Sequence, residues 1–133
     1  MKKYKFKIVD KHSGSCIVHP NSKFYRKYFK DEYVYAEPDT LGVMLFKTRA
    51  QAQQFIDYHQ NALHGEFLIR SRSWKIKRVI PIGRGKTPEH VSFATSSYGI
   101  KDFNKKVQLY GIQEYMAEPV EGTICYPGVL VVD

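Results

Sequence analysis

Sulfur, acid and long apolar runs are all scarce in this chain, and each scarcity removes a class of protein. Only two cysteines occur, Cys16 and Cys125, near opposite ends of 133 residues. With no secretory leader before them, they are expected to be reduced and buried, not joined in a disulfide. No apolar stretch approaches the ~18 residues that a membrane-spanning helix requires, and residues 1–7 alternate charge with aromatics where a signal peptide would be apolar. A cytoplasmic protein with no membrane partner is therefore expected. His12, Cys16, His19, His59 and His64 fit no zinc spacing, so neither a metal nor a cofactor is expected.

The acids are missing most conspicuously from residues 70–86, which carry Arg70, Arg72, Lys75, Lys77, Arg78, Arg84 and Lys86 and no carboxylate. The net charge of +8 is unevenly spread, because residues 1–87 hold 18 lysines and arginines against 7 acids. Residues 88–133 reverse the balance, with 3 against 6. A field of that sign speeds encounter with nucleic acid, nucleotides, acidic proteins or anionic surfaces, and does not choose among them.

What is present is enough to fold. Hydrophobic residues make up 43% and aromatics 14%, so burial can offset the entropy of ordering one core, and a single domain over 1–133 is expected. Residues 3–10 alternate Lys5 and Lys7 with Tyr4, Phe6 and Ile8, the period-2 pattern of a strand. Turn residues 12–15 lead to a short return strand at 16–18. Residues 24–36 read as a second hairpin turning at Lys30-Asp31-Glu32.

Residues 42–47 form an apolar strand, and Thr48-Arg49-Ala50-Gln51 is a capping box opening a helix over about 48–63. Its apolar face holds Ala52, Phe55 and Ile56, and Gly65 stops it. Strands follow at 66–70 and 74–82, the latter with Trp74, Ile76 and Ile80 on one face and Lys75, Lys77 and Val79 on the other. Residues 83–104 read as a long loop with a turn near Pro88. Ile112, Tyr115 and Met116 begin a short second helix ending at Pro119. Residues 123–126 and 129–132 close the chain as strands. The fold class is α+β: a mostly antiparallel sheet packed on one main helix, with a long loop and a short second helix.

Gly83-Arg84-Gly85-Lys86-Thr87 shares the glycines and lysine of a phosphate-cradling loop. The full nucleotide-hydrolysing pattern needs a glycine where Ile80 stands, so phosphate binding without hydrolysis is the expectation. Lys3-Tyr4-Lys5-Phe6-Lys7 and Phe24-Tyr25-Arg26-Lys27-Tyr28 interleave cations with rings, as single-strand binding surfaces do. A hydrolase or transferase would have to assemble His90, Glu118, Glu121 and the hydroxyls of 92–97, and acids this sparse more often solubilise a surface.

The stretch Thr40-Leu41-Gly42-Val43-Met44-Leu45-Phe46-Lys47-Thr48-Arg49-Ala50-Gln51-Ala52-Gln53-Gln54-Phe55, with Pro81-Ile82-Gly83 and Gly122-Thr123-Ile124, resembles small uncharacterised accessory proteins common in bacteriophage genomes. The resemblance implies a viral accessory protein in the host cytoplasm and transfers no catalytic residue. The function expected is binding without turnover, through Arg70, Arg72, Lys75, Lys77, Arg78, Arg84 and Lys86, to an anionic partner, nucleic acid or nucleotide. The alternative is a module that binds a host protein through exposed tyrosines. The last apolar strand is free to pair within the domain or with a second copy.

Overall fold

A computed structural model describes residues 3–11, 26–38, 42–62, 74–87, 91–92, 116–117 and 121–133. Along the chain these form β1 (Lys5–Asp10), β2 (Tyr33–Tyr35), β3 (Val43–Phe46), α1 (Arg49–Ala62), β4 (Trp74–Ile82), β5 (Val91–Ser92), β6 (Met116–Ala117), β7 (Thr123–Tyr126) and β8 (Gly128–Val131). Six strands make one sheet in the order β2-β8-β4-β1-β3-β7, and β5 pairs with β6 apart from it. Every pairing is antiparallel. The expected α+β class, an antiparallel sheet with one main helix, is what the described residues form.

The sheet curls back on itself. Just beyond β4, the Lys86 N–H donates to the Cys125 carbonyl and the Cys125 N–H to the Lys86 carbonyl, both at 2.8 Å. The outer side of β7 is thus paired at Cys125, which shortens the edge it offers to other chains.

Because side chains alternate along a strand, the sheet builds two cores. One holds Val9, Val43, Leu45, Val79, Val129 and Val131, with Val34 from β2 and Tyr28 beside it. The other lies beneath α1 and joins Ile8, Phe46 and Cys125 to Ala52, Phe55 and Ile56. The Phe46 and Phe55 rings are 5.2 Å apart by centroid, and Trp74 continues the stack 6.4 Å from Phe55. Each fully buried ring contributes roughly 1.5–3 kcal/mol relative to exposure.

The helix begins where the sequence placed it. The Gln51 N–H donates to Thr48 Oγ1 and the Thr48 N–H to Gln51 Oε1, each at 3.1 Å, which satisfies two donors at the helix start reciprocally. Gly122, at φ +89°, brings its backbone so close to the Gln51 side chain that a Cβ would collide with it. The Gly122 carbonyl also accepts the Lys47 N–H at 2.9 Å. The start of α1 and the turn before β7 therefore pack on each other.

Two expectations are corrected. β2 pairs with β8, Tyr33 opposite Leu130 and Tyr35 opposite Gly128, and not in a hairpin with the residues before it. The turn lies at Lys30–Asp31 as read, with Asp31 at φ 68°, but residues 26–30 belong to no named strand, and Tyr28 among them enters the first core. Met116, read as helical, lies with Ala117 in β6 opposite Ser92 and Val91, so strand pairing also interrupts the expected loop. The return strand at 16–18, the strand at 66–70, the remainder of the loop and the remainder of the second helix lie outside the described residues. Among the described residues no helix is long and apolar enough to cross a membrane.

Candidate functional site

Pairing of β1 with β4 gathers lysines that are 70 residues apart in sequence. The register sets Lys7 opposite Lys77, Val9 opposite Lys75 and Lys5 opposite Val79. Directly paired residues share a face, so Lys5, Lys7, Lys75 and Lys77 all stand on one side of the two strands. The only acid in either strand, Asp10, is paired with Trp74 on the other side. Four cations thus share a face to which neither strand adds a carboxylate.

Two of the four are buried. Lys7 is 5% exposed and Lys77 8%, while Lys5 is half-buried and Lys75 open to solvent. Like charges directly opposite each other destabilise a sheet, and burial adds the loss of hydration.

Tyr28 lies against both ammonium groups. Its carbonyl accepts a 2.6 Å hydrogen bond from Lys77 Nζ, and Lys7 Nζ sits 5.3 Å from its ring centroid. Lys77 Nζ is also 6.0 Å from the ring of Phe29, which is 43% exposed. This roof is tied down at both ends. Arg26 donates from Nε to the Tyr35 carbonyl at 2.9 Å and pairs with Glu37 at 3.0 Å, and the Asp31 N–H reaches the Val131 carbonyl at 2.8 Å. Desolvation, and then the nearby Lys75, push the Lys77 pKa below its ordinary value, with Asp133 opposing in part. A neutral carbonyl and a ring face soften the burial of the Lys77 charge.

The other expected contacts have different surroundings. Arg78 points to the helix side of the sheet, where its Nη2 lies 2.9 Å from Asp133 Oδ1 and its guanidinium stacks 5.0 Å from the Tyr4 ring. Its backbone N–H also donates to Asp133 Oδ2 at 3.0 Å. That geometry holds the Asp133 carboxyl below its ordinary pKa and raises that of Arg78. Arg84 and Lys86 are exposed just past β4. Arg70, Arg72, His90 and Glu118 lie outside the described residues.

The glycines of 83–87 serve packing. A Cβ at Gly85 would run into Ile124 and the Tyr126 ring, and one at Gly83 into the Pro127 ring. The Lys86 amide, a donor that a phosphate cradle would use, is committed to Cys125. Among the described residues no three His, Cys, Asp or Glu side chains gather as a metal site. Burial pushes the Cys125 thiol up to about 12, which leaves it unreactive.

Sequence reasoning missed Lys5 and Lys7 as partners of Lys75 and Lys77, and Tyr28 as their roof. The signal was present in two lysine alternations, but nothing in either announces that the strands are neighbours. Comparison of the chain with models of protein families, with curated proteins and with solved structures gives no match.

Proposed function

We propose that this protein works by binding, without turnover, and that its partner is anionic: a nucleic acid or a nucleotide. The observation that carries the reading is the lysine face of β1 and β4, four cations with no carboxylate from either strand beside them. Exposed Phe29 next to Lys77 adds a ring on which a base can stack. Arg84 and Lys86 extend the positive surface beyond the end of β4, and the excess of cations over residues 1–87 supplies long-range steering. The setting is that of a small phage-type accessory protein in the host cytoplasm.

The test is anisotropy of labelled single-stranded and duplex oligonucleotides at two salt concentrations. Three or four phosphate contacts to a single strand predict a roughly 20- to 50-fold loss of affinity between 50 and 200 mM salt. Absence of binding to oligonucleotides and mononucleotides alike at low salt rejects the reading.

A second reading is favoured by one observation. Tyr33 and Tyr35, on the edge strand β2, are 63% and 56% exposed on the same face. Exposed tyrosines at alternate positions are the anchors that a host-protein partner would use. If that reading holds, a partner recovered with the native chain is lost to a Tyr33→Ser, Tyr35→Ser variant.

A further inference from the structure

We propose that the helix-side sheet face beside α1, on β2, β8 and the end of β4, is a docking surface. Its occupant is an amphipathic helix of another protein, apolar on one side with lysine or arginine along its flank. The inference rests on the reading in which Tyr33 and Tyr35 anchor a protein partner, and it gives that partner a shape, a place and a charge.

The apolar surface is the first argument. On this face α1 lies over β1, β3 and the start of β4, where Ile8, Phe46 and Trp74 join its apolar residues in one core. Farther along the same face the register aligns Tyr33, Leu130 and Ile80 in one row across three strands, and Tyr35, Gly128 and Ile82 in another. The Tyr35 ring lies against Gly128, where a Cβ would collide with it. That ring is held down and still 56% exposed, Tyr33 is 63% exposed, and Leu130, Ile80 and Ile82 are half-buried. Tyr4, whose ring stacks on Arg78, is exposed on this face too. Of the four large hydrophobic side chains exposed among the described residues, three therefore stand here. Three adjacent strands span about 10 Å, the width of one helix with its side chains.

Charge is the second argument. Residues 31–39, which include β2, hold four of the seven acids found in residues 1–87 and no lysine or arginine. Asp31 and Glu32 are exposed just before β2, and Glu37, bonded to Arg26, lies just beyond it. A protein of net charge +8 thus presents its exposed tyrosines beside an acidic stretch, which repels a phosphate backbone and attracts a cationic flank. The face suits a partner better than the edge of β2 does. The Tyr35 carbonyl already accepts Arg26 Nε at 2.9 Å, so a strand added at the edge would compete for that acceptor.

The experiment uses the full chain and two amphipathic peptides, one built of two repeats of Leu-Lys-Lys-Leu-Leu-Lys-Leu and one with glutamate in place of every lysine. Calorimetric affinity is measured for the native chain, for a Tyr33→Ser, Tyr35→Ser variant, for an Asp31→Asn, Glu32→Gln variant, and for Gln54→Ser at an exposed site on α1. The lysine peptide is expected to bind the native chain and Q54S more tightly than the glutamate peptide does, and to weaken as salt rises. The double serine variant is expected to lower its affinity at least about tenfold and the double amide variant about threefold, each still unfolding cooperatively in urea.

Tighter binding of the glutamate peptide, which the net charge of +8 favours by itself, overturns the inference. The tyrosine reading survives that result if a native partner is still lost to the serine variant. Lysine-peptide binding that the serine variant leaves intact overturns the docking surface as well. So does oligothymidylate binding that the serine variant abolishes, which makes the tyrosines a stacking platform for bases. Failure of the lysine peptide to bind the native chain at low salt overturns the inference and leaves the tyrosine reading to its own test.

Discussion

Lys77 and Arg78 are neighbours in β4 and meet opposite conditions on the two faces of the sheet. Arg78 lies in the open, its side chain 42% exposed, with Asp133 bonded to it from two directions. Lys77 is 8% exposed, and its hydrogen bond goes to a neutral carbonyl beneath an aromatic roof. A solvated pair such as Arg78–Asp133 adds little stability and is readily replaced. A buried ammonium whose hydrogen bond goes to a neutral carbonyl gives up hydration that a solvated pair keeps. The contrast directs attention to the lysine face for function, although that face also carries the core of Val9, Val79, Val129 and Val131 and the charge count alone would have weighted both residues equally.

The sharpest way to break that division is to remove a side chain from each face. Phe55→Ala empties the centre of the helix-side core, where the ring touches Phe46 and Trp74 at 1% exposure. It is expected to cost about 3–5 kcal/mol in urea unfolding. Lys77→Met, in the same assay, is expected to leave stability unchanged or raised. A loss with Lys77→Met comparable to that of Phe55→Ala would put both faces in the same structural role.

A smaller effect tests how the helix is held on its face. Thr48→Ala removes the acceptor for the Gln51 N–H and leaves the rest of the capping box without its reciprocal partner. The expected cost is about 1 kcal/mol. Because Gln51 also lies against Gly122, the loss should appear as earlier hydrogen exchange in the first turn of α1 and at the 121–123 turn together. Exchange confined to the helix would show the two to be independent.

The helix face was far more legible in the sequence than the lysine face, and the reason is locality. Thr48 and Gln51 sit three residues apart, so the capping box, the helix start and the buried Ala52, Phe55 and Ile56 follow from adjacent residues. Strand β4 was read from Trp74 to Ile82 with its two faces correctly sorted, because period-2 alternation is a local signal. Alternation tells which way a side chain points and says nothing of which strand lies beside it. Lys7 and Lys77 each announce a face; that they oppose one another depends on a pairing that spans most of the chain. The same gap misassigned β2, whose partner β8 lies near the far end. Met116–Ala117 was missed because two residues carry too little pattern to compete with a helical spacing.

The most delicate difference between the faces is in their response to pH. On the lysine face the folded-state pKa of Lys77 lies below the ordinary 10.5, chiefly through desolvation. From that lowered value up to 10.5 the unfolded chain holds more protons than the folded one, so the contribution of Lys77 to stability rises with pH across the window. On the helix face Asp133 lies below its ordinary 3.8 because Arg78 bonds it. Its contribution is present above 3.8 and is lost as pH falls through the folded value. Urea midpoints of the native chain and Lys77→Met, compared from pH 7 upward, are expected to converge as pH approaches 10.5, with the variant ahead at pH 7. Midpoints that stay parallel over that range would mean that the Lys77 charge is as comfortable in the fold as in water, and the two faces would then differ in burial alone.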